Sequence, residues 1–388
     1  MEFERRCWVE VNLDIIEQNY KAVSAAAGGL PVMAVVKADA YGHGDIEVAK
    51  TLNNLGACCF AVSGLYEGIR LRNAGITKPI LILGYTNPSN AAELAAHNLI
   101  QTLVDTPHAR ALSAAAVAEG VTVDVHVGVD TGMGRIGFNA KHGVAACAAE
   151  IAAAIQLEGL AATGIFTHFA VADSADPDDI AYTKMQYNLL SDVIKELAAI
   201  GISFACCHCC NSAGIMAYDD MRIDMVRAGV ILYGYNPSND VPCPTIHPAM
   251  QLKTIITMVK DVLPGEYLSY GRKFCVSKPM RVATLAIGYA DGYVRSLSGK
   301  GVVSVNGKGA PVLGTVCMDQ CMIDVTDIDC KQGDIVTVYN GKNGDSIDDV
   351  AAKINSITYE IICDIGRRVQ RVYVRNGKEV SMVNYMLD

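Results

Sequence analysis

The chain has 388 residues, enough for two domains, and 51% of them are hydrophobic, which is ample for a large core. Its 32 Lys and Arg against 41 Asp and Glu give a formal charge of −9; that leaves no basic footprint for nucleic acid and favours a small-molecule partner. The richest apolar stretch, Val144 to Leu157, is interrupted by Glu150, and no charged leader precedes an apolar run, so a cytoplasmic protein without membrane attachment is expected. The 14 Cys include the neighbours Cys58-Cys59 and Cys206-Cys207, and without a secretory signal they read as reduced, small hydrophobes.

From residue 30 to 235, short β-branched runs alternate with longer helical patterns, the signature of βα units around a parallel sheet. The spacing predicts strands over Pro31–Val36, Cys58–Val62, Ile80–Leu83, Ile100–Val104, Val121–Val127, Gly159–Thr167, Phe204–Cys209 and Ile223–Arg227. Eight strands with eight crossovers favour a (β/α)8 TIM barrel over a doubly wound sheet. Tyr187, Leu190, Ile194 and Leu197 mark one helical face, and Gly201 reads as the residue that ends that helix. Prolines 237, 242, 244 and 248 mark a linker. Beyond Asn239 the texture is mainly β, with strands expected over Lys253–Lys260, Arg281–Ile287, Val302–Val305, Pro311–Val316, Cys321–Val325, Ile335–Tyr339 and Val369–Val374. Asn306-Gly307 and Asn340-Gly341 are hairpin signals.

Lys37 directly follows the first apolar run, within Ala34-Val-Val-Lys-Ala-Asp-Ala-Tyr-Gly-His-Gly44. By spacing alone a strand-end Lys is usually a solvated end, although a desolvated amine can form a Schiff base. His168, Asn211, Ser212, Arg135 and Arg227 also fall at or just past strand ends, so all six should meet at the C-terminal mouth of the barrel. Ser212 and the Gly229-Val230 pair follow strands seven and eight, the recurring phosphate position of such barrels. Cys206-Cys-His-Cys-Cys210 invites a zinc reading, but strand residues alternate in direction and no spaced CxxC partner exists, so no metal is expected. No GxGxxG follows the first strand, and no P-loop or GxSxG motif occurs, which removes support for dinucleotide, NTPase and α/β-hydrolase chemistry.

The segment around Lys37 resembles the pyridoxal-lysine signature of alanine racemases. The resemblance continues in order through Val129-Asp-Thr-Gly-Met-Gly-Arg-Ile-Gly137, Thr167-His-Phe-Ala170, Cys209-Cys-Asn-Ser-Ala213, Val226-Arg-Ala-Gly-Val230, Leu268-Ser-Tyr-Gly271, Ala286-Ile-Gly-Tyr-Ala-Asp-Gly-Tyr293, Cys317-Met-Asp-Gln320 and Ile357-Thr-Tyr-Glu360. It implies a fold type III pyridoxal 5'-phosphate enzyme that interconverts L- and D-alanine, supplying D-alanine for bacterial peptidoglycan. It further implies residues 1–12 as a strand joining the β domain, 13–239 as the barrel, 240–388 as the mainly-β domain, and a head-to-tail homodimer with shared active sites.

By motif position, Lys37 would carry the cofactor, while Tyr41, Ser212, Gly229, Val230 and Tyr359 would hold its phosphate. Arg227 would face the pyridine nitrogen and Arg135 the phenolic oxygen. Tyr270, Met318 and Asp319 would come from the partner subunit. Lys37 and Tyr270 would be the two bases, with His168 and Arg227 supplying the environment that favours a Tyr270 phenolate. Tyr359 stands where related serine racemases carry Asn, which favours alanine over serine or a broader specificity. A pyridoxal-phosphate-binding protein without turnover would lack residues 240–388. Asp173, Tyr289, Tyr293 and Arg295 are candidate entrance residues. One departure stands out: Gly128 occupies a position where many relatives carry a carbamylated Lys that orients the motif Arg, and a small anion or a water is expected to take over that task beside Arg135.

Overall fold

In the computed structural model the described residues are 5–241, 243 and 245–387, so the linker prolines Pro242 and Pro244 lie outside them. The chain divides into two compact units, Ile16–Ala40 with Asp45–His247, and Met1–Ile15 with Tyr41–Gly44 and Pro248–Asp388. Residues 240–247 therefore go with the first unit, and the short Tyr41–Gly44 segment with the second.

The first unit is the expected barrel. Its parallel strands are Val32–Val35, Cys59–Val62, Ile80–Ile82, Leu99–Leu103, Val123–Asp130, Leu160–Phe166, Cys206–His208 and Val226–Ala228. The last of them pairs with the first, and a parallel bridge from His208 to Met225 draws the seventh towards the eighth, so the ring is nearly closed. Most of these strands are shorter than the apolar runs that announce them. A run buried on both faces carries no alternation to mark where pairing stops.

Helix ends follow local chemistry. The Asp105 carboxylate accepts from His108 N–H at 2.7 Å to start helix Thr106–Glu119, and left-handed Gly120 ends it. Helix Pro177–Ala199 starts at Asp176 and ends as expected, with Gly201 at φ 84° donating to the Ala198 carbonyl.

The second unit is the expected β domain. Met280–Leu285, Cys321–Asp324, Lys308–Leu313, Val302–Val305, Ile335–Tyr339 and Met250–Val262 pair in that order, and Met250–Val262 pairs back onto Met280–Leu285. The sheet then extends through Cys7–Asn12, parallel to Gln370–Arg375, and ends on Lys378–Val383. Trp8 and Val9 are buried there, so the first strand is a core element of this unit.

Asn306-Gly307 is a two-residue turn: both residues have positive φ, and Val305 pairs directly with Lys308. That turn starts the returning strand at Lys308 rather than at Pro311. Asn340-Gly341 corrects the sequence reading. It is not a tight hairpin but the start of a loop in which the Asn340 amide donates to the Asp345 carbonyl, leading into helix Ile347–Ile354. Left-handed Asn serves such loops as readily as hairpins. No described helix is long and apolar enough to cross a membrane.

Candidate active site

Lys37 leaves the first barrel strand and enters an unusual backbone. Ala38, Asp39, Ala40 and Tyr41 all have φ near +53 to +55°, one turn of left-handed helix without a glycine. Each such residue costs about 1–2 kcal/mol, so the turn must be held from outside. Glu67 accepts from Ala38 N–H at 2.7 Å and from Ser63 N–H at 2.6 Å. Asp39 accepts from Asp45 N–H at 3.1 Å, and Ala40 N–H reaches the Val36 carbonyl at 2.9 Å. Strain of this kind, clamped by carboxylates beside a half-buried amine, is typical of a functional position.

A cavity of about 270 Å³ opens beside Lys37, lined also by Gly128, Arg135, Phe166, Thr167 and His168. Burial first, then the charges of Arg227, Arg135 and Lys37, hold the His168 imidazole well below its usual pKa. His168 is therefore neutral, and the four side chains share one electrostatic site. Gln186, buried in helix Pro177–Ala199, fixes this wall by accepting from Ala170 N–H at 2.9 Å and donating to the His168 carbonyl at 3.1 Å and the Thr131 hydroxyl at 3.3 Å. Sequence reading missed Gln186, because a helical Gln carries no local signal of an inward role.

Arg227 is the centre of the barrel's polar interior. It is buried, and it donates to the carbonyls of Thr167 at 2.8 Å and Cys209 at 2.9 Å and to His208 Nδ1 at 2.7 Å. His168 Nδ1 lies 3.4 Å from the same guanidinium. Burial pulls the Arg227 pKa down to about 10, which still leaves it charged at neutral pH.

An Arg can only donate, so the imidazole tautomers follow from the network. His208 Nδ1 accepts, its Nε2–H points to His126 Nδ1 at 3.1 Å, and the proton of His126 resides on Nε2. His168 likewise accepts on Nδ1 and keeps Nε2–H free to donate. Burial and Arg227 lower His126 to about 4 and hold His208 well below its usual range, so the chain of imidazoles is neutral. Gly164 makes it possible: a Cβ there would lie 2.5 Å from the His126 ring.

Past the seventh strand, Asn211 caps helix Ser212–Ala217, accepting from Gly214 N–H at 3.0 Å. This leaves the Ser212 hydroxyl to accept from Gly229 N–H at 3.0 Å, which ties together the two strand ends expected to meet a phosphate. Arg135 is exposed on the loop after the fifth strand, where Asp130 accepts from Gly132 and Gly134 N–H at 2.9 Å each. Gly128 lies in the cavity wall, where a Cβ would sit 3.2 Å from Thr102 Cγ2 and 3.3 Å from the Leu103 carbonyl. The barrel thus brings together Lys37, Arg135, His168 and Arg227 and, separately, Ser212, Gly229 and Val230.

The β unit carries the remaining residues in two groups. Tyr41 and Tyr359 stand with ring centroids 6.2 Å apart, and burial raises the Tyr41 phenol well above its usual range, keeping it a neutral donor. Gly42 and Gly44 seat this segment, since Cβ atoms there would collide with the Ile362 carbonyl and the Tyr373 hydroxyl. The second group, Tyr270, Met318 and Asp319, lines one open recess.

Tyr270 is 72% exposed and follows Ser269 at φ 67°; the Ser269 hydroxyl donates to the Thr315 carbonyl at 2.5 Å. Asp319 pairs with Arg368 at 2.7 Å, and Arg368 with Arg6 grips buried Asp291 at 2.7 and 2.9 Å. Asp291 is a second residue that sequence reading left unassigned, although its motif was noticed. Of the candidate entrance residues, Tyr289 and Arg295 are exposed and Asp173 half-buried. Tyr293 corrects the expectation: at 1% exposure, packed against Tyr339, it is a core residue.

The donor set suits an anionic carbonyl cofactor. It offers an amine, a buried guanidinium whose partners among the described residues are all neutral acceptors, and a Ser212–Gly229 tie for a phosphate. A barrel with a lysine-bearing, cation-rich mouth, followed by a β unit presenting an exposed tyrosine, defines a class of pyridoxal-type enzyme scaffold.

The comparisons name the family within it. Residues 11–237 match the model "Alanine racemase, N-terminal domain" and 249–373 the model "Alanine racemase, C-terminal domain", and the chain belongs to the alanine racemase family. It is 44% identical to an alanine racemase of Clostridium perfringens and 41% to that of Clostridium novyi, each covering 98% of this chain and 99% of the relative. Among solved structures, alanine racemase of Clostridium difficile 630 superposes with TM-score 0.93 at 38% identity, covering 99% and 100%. The Bacillus anthracis enzyme with bound L-Ala-P gives 0.91 at 34%, covering all of both chains.

Proposed function

We propose that this protein racemises alanine with pyridoxal 5'-phosphate carried on Lys37, and that it does so as a homodimer whose two sites each take Tyr270 from the partner. The observation that carries this reading is the coupled group of Lys37, His168, Arg227 and Arg135 at one barrel mouth. The family's full-length match, and a relative's structure in complex with cycloserine, support the same substrate class.

When bound, the cofactor withdraws electrons from the substrate Cα and acidifies its proton. Racemisation then needs one group to accept that proton and another to deliver one to the opposite face. Lys37 Nζ serves one face and the partner subunit's Tyr270 hydroxyl the other, and the roles exchange with direction. A phenol with an ordinary pKa of about 10 is a weak base at neutral pH and needs a donor at its oxygen. His168 has that donor in its Nε2–H, because Arg227 occupies its Nδ1 side. Arg227, a donor held by neutral acceptors, would disfavour protonation of the cofactor's ring nitrogen, which would limit electron withdrawal and with it side reactions.

By motif position Ser212 with the Gly229 and Val230 backbone would hold the phosphate, and Tyr41 and Tyr359 would be further donors for it. Arg135 would meet the phenolic oxygen and the substrate carboxylate, with Met318 and Asp319 of the partner subunit closing the substrate side. The product D-alanine fits supply to peptidoglycan in the cytoplasm.

A racemisation assay over a panel of amino acids tests the reading, with Lys37→Ala as control. L- and D-alanine should interconvert fastest. Faster turnover of serine overturns the alanine assignment, and bound cofactor without any turnover overturns the enzyme.

A further inference from the structure

The N-terminal ends of the barrel strands, opposite the catalytic mouth, surround a second cavity of about 580 Å³. Its wall carries a cluster of sulfur atoms. Cys58 precedes the second strand, Cys59 opens it, and Met225 immediately precedes the eighth. The two Sγ atoms lie 3.4 Å apart, and each is 3.3 Å from Met225 Sδ. Cys206, first residue of the seventh strand, lines the same cavity and interacts electrostatically with both thiols. All of these cysteines are free, and Cys58 is only half-buried, so the cluster opens to solvent through the cavity. Thiols that serve only as small hydrophobes have no need to converge on one another.

We propose that Cys58, Cys59 and Met225 form a binding site for a soft monovalent metal ion of the Cu(I) type. The donor chemistry selects the ion. Two thiols and a thioether are a soft set, which favours Cu(I) over hard or borderline divalent ions. Zinc wants four nitrogen, oxygen or thiolate donors, and among the described residues no three His, Cys, Asp or Glu side chains converge on one position.

Geometry permits it. With metal–sulfur bonds of about 2.3 Å, a trigonal set places its sulfurs about 4 Å apart. The observed triangle has to open by about 0.6 to 0.7 Å on each edge, through small rotations of the two thiols and the flexible Met side chain. Charge is also provided for. Lys78 acts on both thiols, and Arg72 lines the cavity, so the anionic dithiolate complex has cations beside it. Binding one Cu(I) releases the two thiol protons to solvent, with no change in oxidation state.

The test is anaerobic titration of the full-length protein, as purified with its cofactor, using Cu(I) buffered by the chromogenic chelator bicinchoninate. The wild-type protein should withdraw one equivalent of Cu(I) that Cys59→Ala does not, and Met225→Leu should hold it at least about tenfold more weakly. Cys58→Ser, at a half-exposed position, gives the same loss should Cys59→Ala fail to fold. A Cys275→Ser/Cys363→Ser variant removes the two exposed thiols and should retain the equivalent. Equal uptake by wild type and both cluster variants, or loss of the equivalent in the exposed-thiol variant, overturns the proposal. Uptake of Zn(II) as readily as Cu(I) overturns the soft-metal assignment.

Discussion

Lys37 and Tyr270, the two residues proposed to exchange protons with Cα, sit in regions built on opposite principles. The Lys37 region is complete within one chain. Its left-handed turn is clamped by Glu67 and Asp39, and its neighbours His168 and Arg227 are bonded into the barrel interior. The Tyr270 region instead presents its side chain outward. Its backbone is strained at Ser269 and Arg272, yet the Tyr270 side chain it displays is mostly in solvent. Strain beside an exposed phenol supports the proposal that this turn serves a second copy of the chain.

The largest effect expected from testing this contrast is at Lys37. Lys37→Ala should lower racemisation by on the order of a thousandfold or more and abolish the absorbance of covalently held cofactor. Next is Tyr270→Phe, which should keep that absorbance while activity falls about 10²- to 10⁴-fold, the usual worth of a general acid/base. Mixing the two inactive variants sharpens the comparison. If Tyr270 acts across subunits, mixed dimers contain one intact site, and random exchange should restore about a quarter of wild-type activity. Recovery of none would place both residues in a site within one chain.

Smaller effects report on the barrel interior. Arg227→Leu leaves His208 Nδ1 and the Thr167 and Cys209 carbonyls without a donor, and chemical denaturation should show a loss of about 3 kcal/mol. His126 adds a pH dependence. Its folded pKa of about 4 lies below the usual 6.5, so the unfolded state takes up the proton first. Its stabilisation is full above pH 6.5 and is lost as pH falls towards 4; between pH 7 and 5 the loss should be about 2 kcal/mol. His126→Asn should flatten that part of the profile. The smallest effect belongs to the β unit. Asp319 shares Arg368 with buried Asp291 but lies at the surface, so Asp319→Ala should cost under about 1 kcal/mol in thermal unfolding.

Local pattern carried much of the architecture into the sequence. The repeat of apolar runs and helical faces announces all eight barrel strands within a few residues, and Asn306-Gly307 announces its turn. The candidates at strand ends were legible for the same reason, because the barrel sends every strand end to one face. The motif order singles out Lys37 and Tyr270 as the proposed bases, neither of which stands out by spacing.

What only the tertiary structure decided is long-range. No propensity predicts a left-handed turn over Ala38–Tyr41, which exists because distant groups such as Glu67 hold it. Gln186 and Asp291 look ordinary until helix and loop packing turn them inward. The tautomers of His126, His208 and His168 follow from one buried guanidinium, and the sulfur cluster from strand ends 167 residues apart in sequence. Periodicity records which face of an element is buried, and it is silent about which partners meet there.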